Sequence, residues 1–326
     1  MRSPIGGLKT AVKSFVATSP GLALTKRAHT AGCAVLLYHR VGLPSDPFPN
    51  LDVECFTAQM EWLARNCHVI APEELRARAA WGSPSRPHVL VTFDDGYRDY
   101  FDHAFPVLQR LRIRALNFLC TRFNDEPGLI GWWDRLFLAV RRSSKPCARL
   151  PWADCEFTLD DRGRSALLRA AKDHIKLQPE SDKEYLTQSV LDVLGVDGDA
   201  LVAPRQTMSW DEVRAAAEFT AYGGHTHNHL IVSRLDGRVL EDEVKMCRDR
   251  IANETGAAPD AFAYPNGREI DFTDDSKQTL KRYGFSTAFS AIEGVNRADA
   301  DWMAVRRISG GTSVADLAWR LSRLWA

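Results

Sequence analysis

The chain lacks any charge imbalance: among its 326 residues, 42 Lys and Arg stand against 42 Asp and Glu. A neutral balance gives no global attraction for nucleic acid or another polyanion, so no nucleic-acid partner is expected. Long apolar runs are missing too. The longest are about five residues, such as Ala34–Tyr38, where a spanning helix needs roughly 20. Seven cysteines (Cys33, Cys55, Cys67, Cys120, Cys147, Cys155 and Cys247) are odd in number and irregularly spaced, with no Cys-x-x-Cys. That pattern argues against a disulfide framework and for a reducing compartment. Acidic residues are absent from the first 45 positions, where Arg2, Lys9, Lys13, Lys26, Arg27 and Arg40 carry the charge. A secretory signal needs an unbroken apolar block of about 7–15 residues, and Lys9 and Lys13 interrupt every such window. These absences lead to an expected cytoplasmic location. Ile5, Leu8, Val12, Phe15 and Val16 fall at helical spacing. Residues 1–31 are therefore expected to hold a basic amphipathic helix, packed on its own domain or in weak contact with the inner membrane face.

What is present is the composition of a protein with a real core, 45% hydrophobic and 26% charged. From Ala34 onward, short apolar strands alternate with amphipathic helices. The strand candidates are Ala34–Tyr38, His88–Phe93, Ala115–Cys120, Thr220–Gly224, Ala261–Tyr264 and Thr287–Ser290. Helices are expected over Phe56–Asn66, Pro72–Ala80, Tyr100–Leu111, Arg238–Thr255 and Ser276–Tyr283, and near 210–218, where Ser209-Trp-Asp-Glu212 matches a capping box. Repeated strand–helix–strand units imply parallel pairing in a barrel or doubly wound sheet. The rhythm breaks over about 125–206, which reads as a helical insert with helices near 132–140, 163–176 and 181–194. Trp132 and Trp133 within it are either packing anchors or a platform for stacking a sugar.

Three motifs could carry chemistry. Thr92-Phe93-Asp94-Asp95-Gly96 places two adjacent carboxylates at the carboxyl end of a buried strand, where α/β folds assemble their sites. Adjacent like charges there need a cation or a shared proton. A plain Asp-Asp-Gly turn is the alternative. Gly224-His225-Thr226-His227-Asn228-His229 brings three imidazoles within five residues. Core packing explains this poorly, because each buried ring nitrogen needs a partner. A solvated polar loop is one reading, and a metal site is the other, since two His and one Asp would leave coordination positions open on an ion. Phe262-Ala-Tyr264-Pro-Asn266-Gly reads by itself as a turn, and His39, closing the first strand, as a structural residue.

Together these residues resemble the NodB-like polysaccharide deacetylases, carbohydrate esterase family 4, from about Val35 to Leu321. The resemblance rests on TFDDG at 92–96, HTHNH at 225–229 and FAYPNG at 262–267. YHRV at 38–41, Trp132-Trp133-Asp134 and the insert are similar to a bacterial subgroup linked to exopolysaccharide and lipopolysaccharide assembly. It implies a distorted (β/α)7 barrel over 32–326, interrupted by the insert, that removes N-acetyl groups from sugars with a divalent metal, usually Zn2+. Carried over, Asp94 is the general base, and Asp95, His225 and His229 are the metal ligands. Thr226 braces the loop, and His227 has no ligand role. The Asn266 backbone amide would hold the oxyanion, and Tyr264 in the same turn would bind substrate.

Two departures stand out. Where the family has an Arg that orients the base, this chain has Ala263, and the late Leu-x-His motif that supplies the general acid is replaced by Arg306-Arg307-Ile308-Ser309-Gly310. Leu37-Tyr38-His39 fits Leu-x-His at the other end of the chain, as in circularly permuted relatives, so His39 is the candidate acid. Alternatives are a deformylase acting on a lipid- or nucleotide-linked sugar, and a glycan-binding protein without activity. The ligand types also suit Fe2+, Co2+ or Ni2+.

Overall fold

Val89, Leu90 and Val91 run into Thr92 and Phe93 without a polar break, and every residue of His88–Phe93 is buried. Burial on both faces is the mark of a parallel strand covered by helices. A computed structural model of the chain describes residues 32–75, 77, 86–126, 128–201 and 203–324. The expected amphipathic segment 1–31 lies outside the described residues. These form two compact units: residues 32–44, 50–125 and 207–324 make one, and Ser45–Pro49 with Glu126–Gln206 the other.

The larger unit is a curled, mainly parallel sheet with helices around it, the architecture expected of a distorted (β/α)7 barrel. Its main strands are β1 (Cys33–Tyr38), β2 (His88–Phe93), β3 (Ala115–Leu119), β4 (Thr220–Gly224), β5 (Ala261–Ala263), β6 (Thr287–Phe289) and β7 (Ile308–Ser309), with the two-residue strands His68–Val69, parallel to β2, and Val295–Asn296, antiparallel to β1, at its edges. β1 to β6 pair in chain order, all parallel. The last strand returns to the first: Val305 bridges Phe289 of β6, and β7 pairs with Leu36 and Leu37 of β1. β7 was not legible in advance, because two strand residues behind Arg306-Arg307 give no apolar run.

The longer helices of this unit are α1 (Val53–Asn66), α2 (Phe105–Leu111), α6 (Trp210–Ala216), α7 (Gly237–Thr255), α8 (Asp274–Arg282) and α9 (Val314–Leu324), and a single turn of helix covers Thr121–Asp125. α1 starts earlier than the sequence suggested, because Asp52 caps it by accepting from the amides of Glu54 and Cys55. The capping box of α6 forms as expected. α7 ends at Gly256 in the left-handed conformation. Tyr100–Leu111 is not one regular helix. Pro106 offers no amide at the start of α2, and Tyr100–Ala104 upstream is a π turn in which the Phe105 amide donates to Tyr100 O. Pro72–Glu74 is a 3₁₀ turn, and residues 76 and 78–85 of that stretch are outside the description.

The smaller unit contains α3 (Trp132–Arg142), α4 (Asp161–Lys176) and α5 (Glu180–Leu194), with an antiparallel pair, Cys147–Ala148 against Phe157–Thr158. Leu136, Ala139, Leu167, Ala171, Val190 and Leu191 form its core, and Trp132 packs on that core. No helix among the described residues is long and apolar enough to cross a membrane.

Candidate active site

Strand parity decides which side chains reach the barrel axis. Val35, Leu90, Leu116, Phe118, Ala263, Phe289 and Val305 share one buried cluster inside the sheet. Side chains alternate along a strand, so the same parity continues from Val35 to His39, from Leu90 to Asp94, from Phe118 to Cys120 and from Val305 to Arg307. Ala221 packs against that cluster, and its parity continues to His225. β1 to β4 thus deliver His39, Asp94, Cys120 and His225 to their carboxyl ends, and Arg307 faces the same interior from just ahead of β7. Pairing aligns the ends: Tyr38 sits opposite Phe93, and the Asp94 amide donates to Tyr38 O at 3.0 Å.

Asp95, His225 and His229 come together. Asp95 Oδ1 stands 3.3 Å from His225 Nε2 and 3.3 Å from His229 Nε2, yet this buried oxygen has no hydrogen-bond partner among the described residues. His225 Nδ1 donates to Ala263 O at 2.7 Å. In the neutral ring that leaves the Nε2 lone pair aimed at the carboxylate, an arrangement that needs a proton or a cation between the groups. Burial and the two imidazole contacts act oppositely on Asp95, and the imidazoles win, holding it well below the usual carboxylate range. Burial alone would push His225 down, but Asp95 and Asp94 raise it. Cys120 Sγ belongs to the same cluster, with the four ligand atoms within 4.8 Å of one another. Burial and the nearby Asp95 charge push its thiol well above the ordinary value. An orphaned buried carboxylate oxygen facing two lone-pair nitrogens fits a divalent ion.

Backbone strain marks the same place. Asp95, Thr226, His229 and Asn266 all have positive φ, and Arg112 is the one other such non-glycine among the described residues. Non-glycine residues hold that conformation only where their surroundings fix it. Thr226 Oγ1 accepts from the Leu230 amide at 2.9 Å, and buried Glu243 of α7 accepts from the Asn228 amide at 2.8 Å. His227 turns aside, its Nδ1 2.8 Å from Thr121 Oγ1.

Asp94 has a partner that motif reading missed. Arg307 donates to both its oxygens, Nη1 to Oδ1 at 2.7 Å and Nη2 to Oδ2 at 2.8 Å. Both residues are buried, and Arg307 Nε donates to Ser290 O at 2.7 Å, fixing the fork. Burial pushes Asp94 up, but Arg307, with His225 and His39 behind it, brings it below the ordinary carboxylate value. An Arg therefore does meet the Asp, from the residue just ahead of β7 instead of from β5. The signal was the alternation from Val305 to Arg307, invisible without knowing that Val305 bridges β6 and that β7 follows at Ile308.

His39 is exposed at the end of β1, and its charge acts on both Asp94 and Asp95. Asn266 is half-buried, with its side-chain amide bonded to Asp271. Tyr264 requires a correction. It is fully buried, its ring stacks on Phe272 at 4.3 Å, and its hydroxyl donates to Met303 O at 2.9 Å. It supports the turn from below and offers no surface to a substrate. A cavity of about 650 Å³ lined by Phe272, Lys277, Asn296, Asp301 and Arg306 contains none of these site residues.

The fold and site define a class: a parallel α/β barrel whose strand ends gather a two-His, one-carboxylate donor set beside a second, ion-paired carboxylate. The polysaccharide deacetylase family profile matches residues 82–151 and 168–288. The chain belongs to that family. It is similar to the Bacillus subtilis (strain 168) protein YxkH, itself a polysaccharide deacetylase by name, at 32% identity over 96 residues. That match covers 29% of this chain and 34% of the relative, about a third of its length. Among solved structures, the Streptococcus pyogenes deacetylase PplD in complex with acetate is similar in fold, with a TM-score of 0.59 and 17% identity. The similarity covers 91% of this chain and 100% of that one. IcaB from Ammonifex degensii is similar with a TM-score of 0.55 and 20% identity, over 89% of this chain and 98% of the other.

Proposed function

We propose that the protein is a metal-dependent de-N-acetylase that hydrolyses the acetamide of an N-acetylated sugar in a bacterial surface polysaccharide or its precursor. The observation that carries this reading is the buried Asp95 oxygen 3.3 Å from two imidazole nitrogens, on the residue next to an ion-paired carboxylate. Asp95, His225 and His229 would hold the ion, and nitrogen and oxygen donors suit Zn2+, with Co2+, Ni2+ or Fe2+ as substitutes. When bound, such an ion polarises the substrate carbonyl and lowers the pKa of a bound water to about 7.

Asp94 is the general base. Arg307 keeps it ionised at neutral pH and fixes its rotamer, while each carboxylate oxygen retains a second lone pair for a water proton. As the water oxygen bonds to the carbonyl carbon, negative charge grows on the carbonyl oxygen, and the Asn266 amide donates to it. His39, at the neighbouring strand end, gives its proton to the sugar nitrogen as the carbon–nitrogen bond breaks. Acetate and a free amino sugar leave. A cytoplasmic site of action with weak membrane contact through residues 1–31 would favour lipid- or nucleotide-linked precursors over finished polymer.

Measuring acetate and formate release from sugar nucleotides, lipid-linked sugars and chitooligosaccharides tests the reading. Acetate from at least one of these is expected. Formate alone would replace the acetyl group by formyl, and release from none, by metal-loaded protein, would overturn the assignment.

A further inference from the structure

The three-ligand set leaves one buried group in the cluster unused. Cys120 follows β3 directly, with the inward parity of Leu116 and Phe118. Its Sγ lies within 4.8 Å of the ligand atoms of Asp95, His225 and His229. Among the described residues its hydrogen bond is a weak one, 3.4 Å from Sγ to His225 O. Cys247, the neighbouring thiol, faces Leu119 O at 3.6 Å and does not join the cluster. A second observation points the same way: the buried Asp95 Oδ1 is unpartnered and faces the same space.

We propose that Cys120 is a fourth, soft donor to the ion held by Asp95, His225 and His229. The inference rests on the metal-site reading above. On loading, the sulfur–hydrogen bond breaks, the proton leaves to solvent and a metal–sulfur bond forms. Three protein ligands leave tetrahedral zinc an open position, whereas four close it. A bound ion would thus be capped by sulfur, and Cys120 would take a proton back from solvent as water or substrate replaced it. A thiolate also biases the site towards Zn2+, Co2+ and softer ions, and away from Mg2+ and Mn2+.

Cobalt spectroscopy tests this on the whole chain. Metal-stripped protein loaded with Co2+ is compared with Cys120→Ser and Cys247→Ser. Visible d–d bands report ion binding at the site, and a near-ultraviolet sulfur-to-cobalt charge-transfer band reports the thiolate. The wild type and Cys247→Ser should show both. Cys120→Ser should keep the d–d bands and lose the charge-transfer band completely. A wild type with d–d bands but no charge-transfer band would overturn the fourth donor and leave the three-ligand site standing. A charge-transfer band that survives Cys120→Ser would overturn it too. No bound cobalt in the wild type would instead remove the metal site and this inference together.

Discussion

Replacing Arg307 by Met removes a guanidinium that makes two hydrogen bonds of 2.7 and 2.8 Å to Asp94, both partners being buried. Met keeps most of the apolar volume next to Phe118, so the change is chiefly one of charge. Leaving a buried charge without its partner costs about 3–5 kcal/mol. Asp94 can limit that loss by taking up a proton, because burial, the influence that pushes its carboxyl up, then meets less opposition. Two readouts follow. Urea unfolding at neutral pH should show a loss of roughly 3–5 kcal/mol, smaller where Asp94 protonates. The acidic limb of the rate–pH profile, which reports the base, should move to higher pH. The linkage has a definite sign. Asp94 lies below its ordinary value in the folded wild type, so its contribution is present above the unfolded carboxylate pKa. It is lost as pH falls through the folded one. Wild-type stability should therefore drop more steeply in acid than that of Arg307→Met. In Asp94→Asn the carboxylate is gone, so adding Arg307→Met should cost less than in the wild type. An unmoved acidic limb, with additive losses in the double variant, would refute the coupling.

Other outcomes follow from the same geometry. His225→Ala and His229→Ala should lose most bound metal by elemental analysis while His227→Ala keeps it; stoichiometric metal in the first two would remove the site. Asp94→Asn should bind metal and fold but lose about 10²–10⁴-fold in turnover, the usual worth of general-base assistance. His39→Ala should lose the alkaline limb of the profile and slow acetamide hydrolysis far more than hydrolysis of an activated aryl acetate, whose phenolate leaves unaided. Equal slowing of both substrates would return His39 to a structural role. Gly223→Ala would set a methyl 2.5 Å from the Phe118 ring and 2.8 Å from Ala261 O, an overpacking that should cost about 1–3 kcal/mol in chemical denaturation.

Much of the barrel was legible because its strands are short apolar runs bounded by helix signals. The six strand candidates lie within a residue of β1 to β6. The two motif loops were legible because adjacent carboxylates and clustered imidazoles at strand ends have few packing explanations. Arg307 and Cys120 were not, for a common reason. Each earns its place through strand parity and a neighbour far away in sequence, and neither stands in a distinctive local pattern. Tyr264 misled in the opposite direction. A tyrosine beside a turn suggests substrate contact, but the pleat sends Phe262 and Tyr264 outward under α7 and α8, where both are buried.

Hydrolysis in the proposed reaction depends on one ion held by Asp95, His225 and His229, with Asp94 as base. The most direct measurement is a titration of metal-stripped protein with Zn2+ while following acetate release from an N-acetylated sugar it accepts. Release should be absent at the start, rise with added zinc and break at one equivalent, and Asp94→Asn should bind that equivalent without gaining the activity. Full acetate release from the stripped protein before any zinc is added would contradict the account.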